Sequence, residues 1–377
     1  MWFCHTISTS AQHPLDTILD TIEVNNPQLL ALRKSHLATM AEKKSENTLG
    51  ETSVEYTPFF QRGTNGIASS ELIVSQEFDF PTVYASRRKS ADLQQQVLDQ
   101  EYLVLRNDLL LQACCLCYDL ATAYQNASLL RRRLAAADTL LMLTGRRLSN
   151  GYATVMESNR VKMDRMTILT EQVQNQGEID KTRLALIALG ASESQLTHIS
   201  SFGDLSSLGT LAHRQMGQGS VSLSEASVQS ARHDLRLTRQ SWLPKLTVGY
   251  RHNTELREHF NGPLVGISMP LFSNSQKVRA ARLRQSASEQ QLEAARLATD
   301  ARQRALESEV ANLQSLLAAY DQPLLFNTLT DLMRAVQAGQ LSVMDYYTEA
   351  DRVYSSLQSH LQTENTYYKT IAELSTY

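Results

Sequence analysis

The feature that most constrains this chain is a stretch that occurs twice. Leu148-Ser149-Asn150-Gly151-Tyr152-Ala153-Thr154-Val155-Met156-Glu157 is echoed by Val336-Gln337-Ala338-Gly339-Gln340-Leu341-Ser342-Val343-Met344-Asp345. In each copy a glycine closes one long helical pattern, and a Ser/Thr-Val-Met-acid run opens the next. The echo continues downstream, where Met166, Leu169 and Val173 stand opposite Tyr354, Leu357 and Leu361. Because a duplicated unit buries its apolar face against its neighbour, the repeat has to be read before any fold is assigned. The chain therefore divides into two halves of one architecture, 14–197 and 222–377, joined by a Ser- and Gly-rich connector at 198–221.

Each half repeats one order of elements. The first offers a helix from Pro14 to about Asn47, with Ile18, Ile22, Leu29, Leu32 and Leu37 on its apolar positions. The period then falls to two in Thr52–Thr57 and again in Leu72–Phe78, around Gly63-Thr64-Asn65-Gly66, which predicts a β-hairpin over 52–78 closed by Pro81. In the second half the helix is Ser222–Ser241 and the hairpin is 246–269, with strands Leu246–Thr254 and Leu264–Met269 and Asn261-Gly262 in the turn. A long helix follows each hairpin. Over 83–147, Val97, Val104, Leu111 and Tyr118 recur at the heptad spacing of a coiled-coil seam. Such a helix reaches roughly 100 Å. Its counterpart, 275–337, contains Pro323, which has to kink or break it. Return helices span 152–189 and 341–374, the latter with Tyr347, Ala350, Tyr354, Leu357 and Leu361 at steps of three and four. These seams call for antiparallel helical partners.

Composition narrows the function. Only 15 Gly and 8 Pro in 377 residues is the punctuation of long helices. A net charge of −3 with pI near 6.3 gives no basic footprint, so no nucleic-acid partner is expected. The most apolar window, Tyr102–Ala121, is interrupted by Arg106, Asn107 and Asp108, which excludes a spanning helix but not a spanning β-barrel. Thr6–Gln12 has the small residues of a signal-peptidase site, with Ala11 as the last residue removed, so 1–13 is read as the remnant of a secretion signal. There is no phosphate-binding Gly-Lys motif and no His-Glu-x-x-His, and neither a catalytic residue nor a cofactor is expected. In Cys114-Cys115-x-Cys117 the first and third thiols share a helical face and the second points away, which favours packing over metal binding. His252 and His259 are read as solvated loop residues.

The duplicated order of helix, hairpin, very long helix, glycine turn and return helix resembles the TolC-type outer-membrane efflux channels (outer membrane factors). Asn25-Asn26-Pro27-Gln28-Leu29, Trp242-Leu243-Pro244-Lys245-Leu246-Thr247, Gly266-Ile267-Ser268-Met269-Pro270-Leu271-Phe272 and Ala338-Gly339-Gln340-Leu341-Ser342 carry the likeness, which covers the chain from about Pro14 onward. The resemblance implies a mainly α protein with a small β part. Long antiparallel coiled-coil helices would form an α-helical barrel, and two β-hairpins per chain a shared 12-stranded β-barrel, in a homotrimer. Physical reasoning meets it partway: two hairpins cannot close a barrel alone, and open edges cannot sit in a bilayer. Val265, Ile267 and Met269 share one strand face, and Leu264, Gly266 and Ser268 the other, as an amphipathic wall requires.

The resemblance also implies a function and partners. The chain would be a passive exit duct in the outer membrane, driven by an inner-membrane pump through a periplasmic adaptor that touches the tip turns at Gly151 and Gly339. An alternative is the outer-membrane duct of a type I protein secretion system. Asp345 matches a family acid lining the periplasmic entrance, and Glu157 is its first-half counterpart. Either acid is equally suited to opening a helix, at the positive end of the helix dipole. Leu341 stands where the family often has a basic residue. A soluble coiled-coil scaffold, the competing class, explains the heptads but not two matched hairpins.

Overall fold

The computed structural model describes residues 14–60, 67–199, 201–205, 219–255, 258–269 and 275–376. The expected signal remnant therefore lies outside the described residues, as do the Gly63–Gly66 turn and the Pro270-Leu271-Phe272 end of the strand exit. The elements run α1 (Pro14–Asn25), α2 (Pro27–Ser45), β1 (Thr52–Phe59), β2 (Ser69–Phe78), α3 (Pro81–Ser149), α4 (Val155–Leu189), α5 (Glu193–Leu196), α6 (Phe202–Leu205), α7 (Gly219–Gln240), β3 (Lys245–Glu255), β4 (Glu258–Ser268), α8 (Ser275–Ala318), α9 (Gln322–Gln337) and α10 (Val343–Leu374). Two compact units share these elements. One takes in the N-terminal residues through Leu30, Leu105–Gly219 and the chain from Thr299; the other takes in Ala31–Val104 and Ser220–Ala298. No helix among the described residues is long and apolar enough to cross a membrane.

The first unit is helical and has two apolar clusters. In one, Leu15, Ile18, Leu19 and Ile22 of α1 are wholly buried together with Leu110, Cys114, Cys117 and Tyr118 of α3 and Leu186 of α4. A fully buried side chain of this size is worth roughly 1.5–3 kcal/mol. Tyr368 of α10 stacks on Tyr118 at 5.5 Å and on Phe202 at 5.1 Å between ring centroids. The other cluster joins Leu129 and Leu140 of α3, Val161 of α4 and Val336 of α9 to the buried face of α10, Tyr347, Ala350, Tyr354 and Leu357 among it.

Four sequence expectations need correcting here. The single helix expected over Pro14–Asn47 is two, because Asn26 breaks it: the Asn26 Oδ1 accepts from the amides of Gln28 (2.9 Å) and Leu29 (3.0 Å), and Pro27 follows at the first helical position. The 198–221 connector is not bare linker, since Ile199, Phe202 and Leu205 are buried in the first cluster and α7 already begins at Gly219. Asn261-Gly262 is not a turn: both residues lie within β4, paired with His252 and Arg251 of β3. His252 and His259 are accordingly strand residues, not loop residues. The interruption expected near Pro323 does occur, between Ala318 and Gln322, with Asp321 capping α9 through its side chain to the Leu324 amide at 3.0 Å.

The second unit holds the sheet, an antiparallel meander in the order β1-β2-β3-β4, so that the two hairpins are joined through β2 and β3. Gly249 sits at this seam opposite Ser75. A Cβ there would come within 2.5 Å of the Val74 carbonyl oxygen, so only glycine permits the approach. The register puts Val54, Tyr56, Leu72, Val74, Leu246, Val248, Tyr250, Val265 and Ile267 on one face. The opposite face is mixed, with Ile73, Phe260 and Leu264 among Ser53, Glu55, Thr57, Glu71, Glu77, Lys245, Thr247, Arg251 and Ser268, and there Arg251 pairs with Glu71 and Lys245 with Glu77.

Asn26 is 1% exposed and also donates from Nδ2 to the Leu189 carbonyl at the end of α4, at 2.9 Å. Asn26→Ala removes a helix cap and strands a carbonyl, and is expected to cost about 2 kcal/mol or more. Asn26→Asp keeps the cap acceptor but loses the donor, so its unfolding midpoint in denaturant should lie between those of the alanine variant and the native chain. Equal midpoints for all three would refute this role for Asn26.

Candidate functional site

The two repeated stretches build the same local object. At the end of α3, Gly151 has φ +77°, its amide donates to the Leu148 carbonyl at 3.1 Å, and the Tyr152 amide donates to the Arg147 carbonyl at 2.8 Å. At the end of α9, Gly339 has φ +75°, its amide donates to the Val336 carbonyl at 3.1 Å, and the Gln340 amide donates to the Ala335 carbonyl at 2.9 Å. This is the paired bonding of a left-handed helix terminus, and it satisfies carbonyls that the helix itself leaves open.

Each following helix opens on a side-chain cap. The Glu157 amide donates to Thr154 Oγ1 at 3.2 Å while the Thr154 amide donates to Glu157 Oε2 at 2.8 Å, a reciprocal box at the start of α4. At the start of α10 the Asp345 amide donates to Ser342 Oγ at 3.1 Å, and the Ser342 hydroxyl donates to Asp345 Oδ2 at 2.7 Å. Both sequence-selected acids thus act in helix initiation within the chain, where the N-terminal dipole also favours them. They differ in access: Asp345 is exposed and Glu157 half-buried.

Sequence reasoning missed what joins the turns. Arg147 Nη2 donates to the Val336 carbonyl at 2.9 Å, so the last turn of α3 grips the last turn of α9. The second-half residue opposite Arg147 is Ala335, and the bond has no reciprocal. Also missed was an ionic cluster that ties α3, α4 and α10 together. Arg133 reaches Asp164 at 3.0 Å, Glu171 at 3.2 Å and Asp351 at 3.3 Å, and lies 5.4 Å from the Tyr354 ring centre. Burial raises the Asp164 carboxyl above the usual range, against the opposing pull of Arg133. The signal was present: Asp164 falls between Val161 and Ile168, both wholly buried, so an acid interrupts an apolar stripe and needs a cation.

Cys114 and Cys117 sit in the first apolar cluster. Burial pushes the Cys114 thiol up to about 12 and raises Cys117 well above the ordinary value, which disfavours the thiolate that a metal would need. Cys115 is half-buried and its thiol is raised by the same cause.

The two turn glycines give a direct check of this geometry. Nothing lies within 4 Å of a Cβ built at Gly151, and at Gly339 the nearest atom is Arg147 Nη2 at 3.7 Å, so the penalty of Gly→Ala at either is conformational. Each alanine variant is expected to lose about 1–2 kcal/mol, with Gly→Asn losing less because asparagine tolerates the left-handed region. Thermal unfolding that ranked alanine and asparagine equally would contradict the assigned turn.

No family model matches the chain. No curated relative matches it either. Solved structures do. The outer membrane protein VceC from Vibrio cholerae superposes with TM-score 0.76 at 14% identity, over 96% of this chain and 94% of that one. The CmeC outer membrane channel of Campylobacter jejuni gives 0.73 at 12% identity, over 96% and 84%. The open state of the MtrE outer membrane channel of Neisseria gonorrhoeae gives 0.71 at 13% identity, over 96% and 88%. The chain has the fold of these proteins.

Proposed function

We propose that this chain, which carries the fold of outer-membrane channels, is the outer-membrane protomer of a tripartite efflux system. It would be a passive duct for small molecules, powered by an inner-membrane pump and reached through a periplasmic adaptor. The observation that carries this reading is the sheet: one face mainly apolar, the other mixed and holding the ion pairs, and both edge strands open. On the apolar face Val265 and Ile267 remain 69% and 66% exposed, which suits hydrocarbon better than water. Strands β3 and β4, of 11 residues each, have the length that a tilted membrane-spanning strand needs, about 9–11 residues. Solved structures of like fold, named as an outer membrane protein and as outer membrane channels, support the location.

Closure has to come from other copies, since β1 and β4 are edges of the sheet. A homotrimer of four strands each would make a barrel of about 12, an even count within the range of such barrels. On α4, Met156, Met163, Met166, Val173 and Leu184 are exposed at heptad-related steps, an apolar stripe suited to helices of a neighbouring copy in a helical tunnel. In this arrangement the Gly151 and Gly339 turns form the periplasmic tip met by the adaptor. Asp345, repeated around the axis, forms an anionic ring at the entrance, with Glu157 in the same tip.

Two experiments bear on this. Ile267→Lys, on the apolar face, should impair membrane insertion by about 2–4 kcal/mol near mid-bilayer, whereas Ser268→Lys on the polar face should insert normally. Equal tolerance would argue for a solvated sheet, as would recovery of the chain as a soluble elongated oligomer. At the entrance, Asp345→Asn retains an oxygen to accept the Ser342 hydroxyl and removes only the charge. Reversal potentials in planar bilayers under a salt gradient should then lose cation preference while the trimer melts as before. Unchanged selectivity with a lower melting point would reduce Asp345 to a helix cap.

A further inference from the structure

The polar end of the sheet's apolar face holds a cluster with no part in the reading above. His252 and Thr254 on β3, and His259 and Asn261 on β4, alternate in register on one face: His252 pairs with Asn261, and Thr254 with His259. The two imidazoles stack, with ring centroids 5.6 Å apart and planes inclined by 16°. His252 Nε2 and His259 Nδ1 converge on one atom, Thr254 Oγ1, at 3.4 and 3.2 Å. On the far side of its ring, His252 Nδ1 lies 2.5 Å from Asn261 Oδ1. An amide oxygen only accepts, so Nδ1 carries the proton and Nε2 is left with its lone pair.

We propose that His252 and His259 form a two-imidazole site, near the connection of β3 and β4, for a divalent transition cation of Zn²⁺, Ni²⁺ or Cu²⁺ type. Without the cation, a proton relay satisfies the row: His259 Nδ1–H donates to the Thr254 hydroxyl, which donates to His252 Nε2. When the His259 proton moves to Nε2, both converging nitrogens present lone pairs to the place the hydroxyl now faces. A cation held there would take each nitrogen as a ligand at about 2.0–2.1 Å. The Asn261 contact is the outer bond that a metal-binding histidine characteristically makes, fixing tautomer and ring orientation. Imidazole ligands select such cations over Mg²⁺ and Ca²⁺, which take oxygen. Among the described residues no cluster of three or more His, Cys, Asp or Glu side chains suits a metal, so water fills the remaining positions and the site is exchangeable. The exposure of His259 leaves it open to solvent.

The test uses the untagged full chain in detergent. Zn²⁺ titration calorimetry should find a site that is lost in both His252→Gln and His259→Gln. It should weaken by about tenfold or more in Asn261→Ala, which touches no metal. Bound Cu²⁺ should show two imidazole nitrogens in its electron paramagnetic resonance spectrum, falling to one in either glutamine variant. Unchanged Zn²⁺ affinity in either glutamine variant, or displacement by equimolar Mg²⁺, would overturn the site. All of these substitutions lie at exposed or half-buried strand positions, and far-ultraviolet circular dichroism verifies that each variant keeps its fold. Neither result depends on the channel reading, since the binding is read on the chain itself.

Discussion

Backbone hydrogen bonding across a sheet is the constraint on which the rest of this molecule depends. A meander of β1-β2-β3-β4 satisfies its interior strands and leaves a row of donors and acceptors on each outer one. Soluble proteins blunt such edges with charge, proline or a covering element, because an open edge invites another chain. Here each edge strand carries one proline, Pro58 in β1 and Pro263 in β4, yet Val54 and Tyr56 of β1 and Val265 and Ile267 of β4 are all well exposed, so the edges coincide with an apolar face. The long helices answer to a second demand, that their apolar seams be covered. Within the helical unit this is done by α1 and the short turns α5 and α6, and by the mutual packing of α3, α9 and α10.

Repetition in sequence does not produce repetition in environment. Tyr354 and Leu357 of α10 are buried, whereas their counterparts Met166 and Leu169 on α4 are exposed. The physical difference is what lies opposite. α10 faces the α9 helix and the end of α3, which supply Val336, Leu129 and Leu140. On α4 a single line of side chains, Val161, Ile168, Ile179 and Leu186 among them, is buried, and the methionine-rich line beside it is open. Methionine, unbranched and polarisable, is the apolar side chain that adapts most readily to whatever packs against it.

Much of the fold was legible because it rests on periodicity. The heptad of Val97, Val104, Leu111 and Tyr118 does lie in one unbroken helix of 69 residues, although Val97 and Tyr118 are buried and the two between them only partly so. The glycine turns were legible from the dipeptide pattern on either side. What failed were short-range signals overridden by pairing: Asn261-Gly262 has strong turn chemistry, yet a ladder with Arg251 and His252 keeps it extended. The connector was obscured by its serines and glycines, though Leu196, Ile199, Phe202 and Leu205 step by three through it. Of the candidate site, the acids and glycines could be selected from sequence, whereas the Arg147 contact with Val336 could not, since no local pattern links residues so far apart.

That single guanidinium makes two helix ends one mechanical body. Arg147 lends its own carbonyl to the first turn and its side chain to the second, so neither terminus can fray without loosening the other. The bond links the two turns across 189 positions of sequence. Because the opposite position is Ala335, the strut runs in one direction only, and two turns alike in backbone are unlike in what ties them to each other.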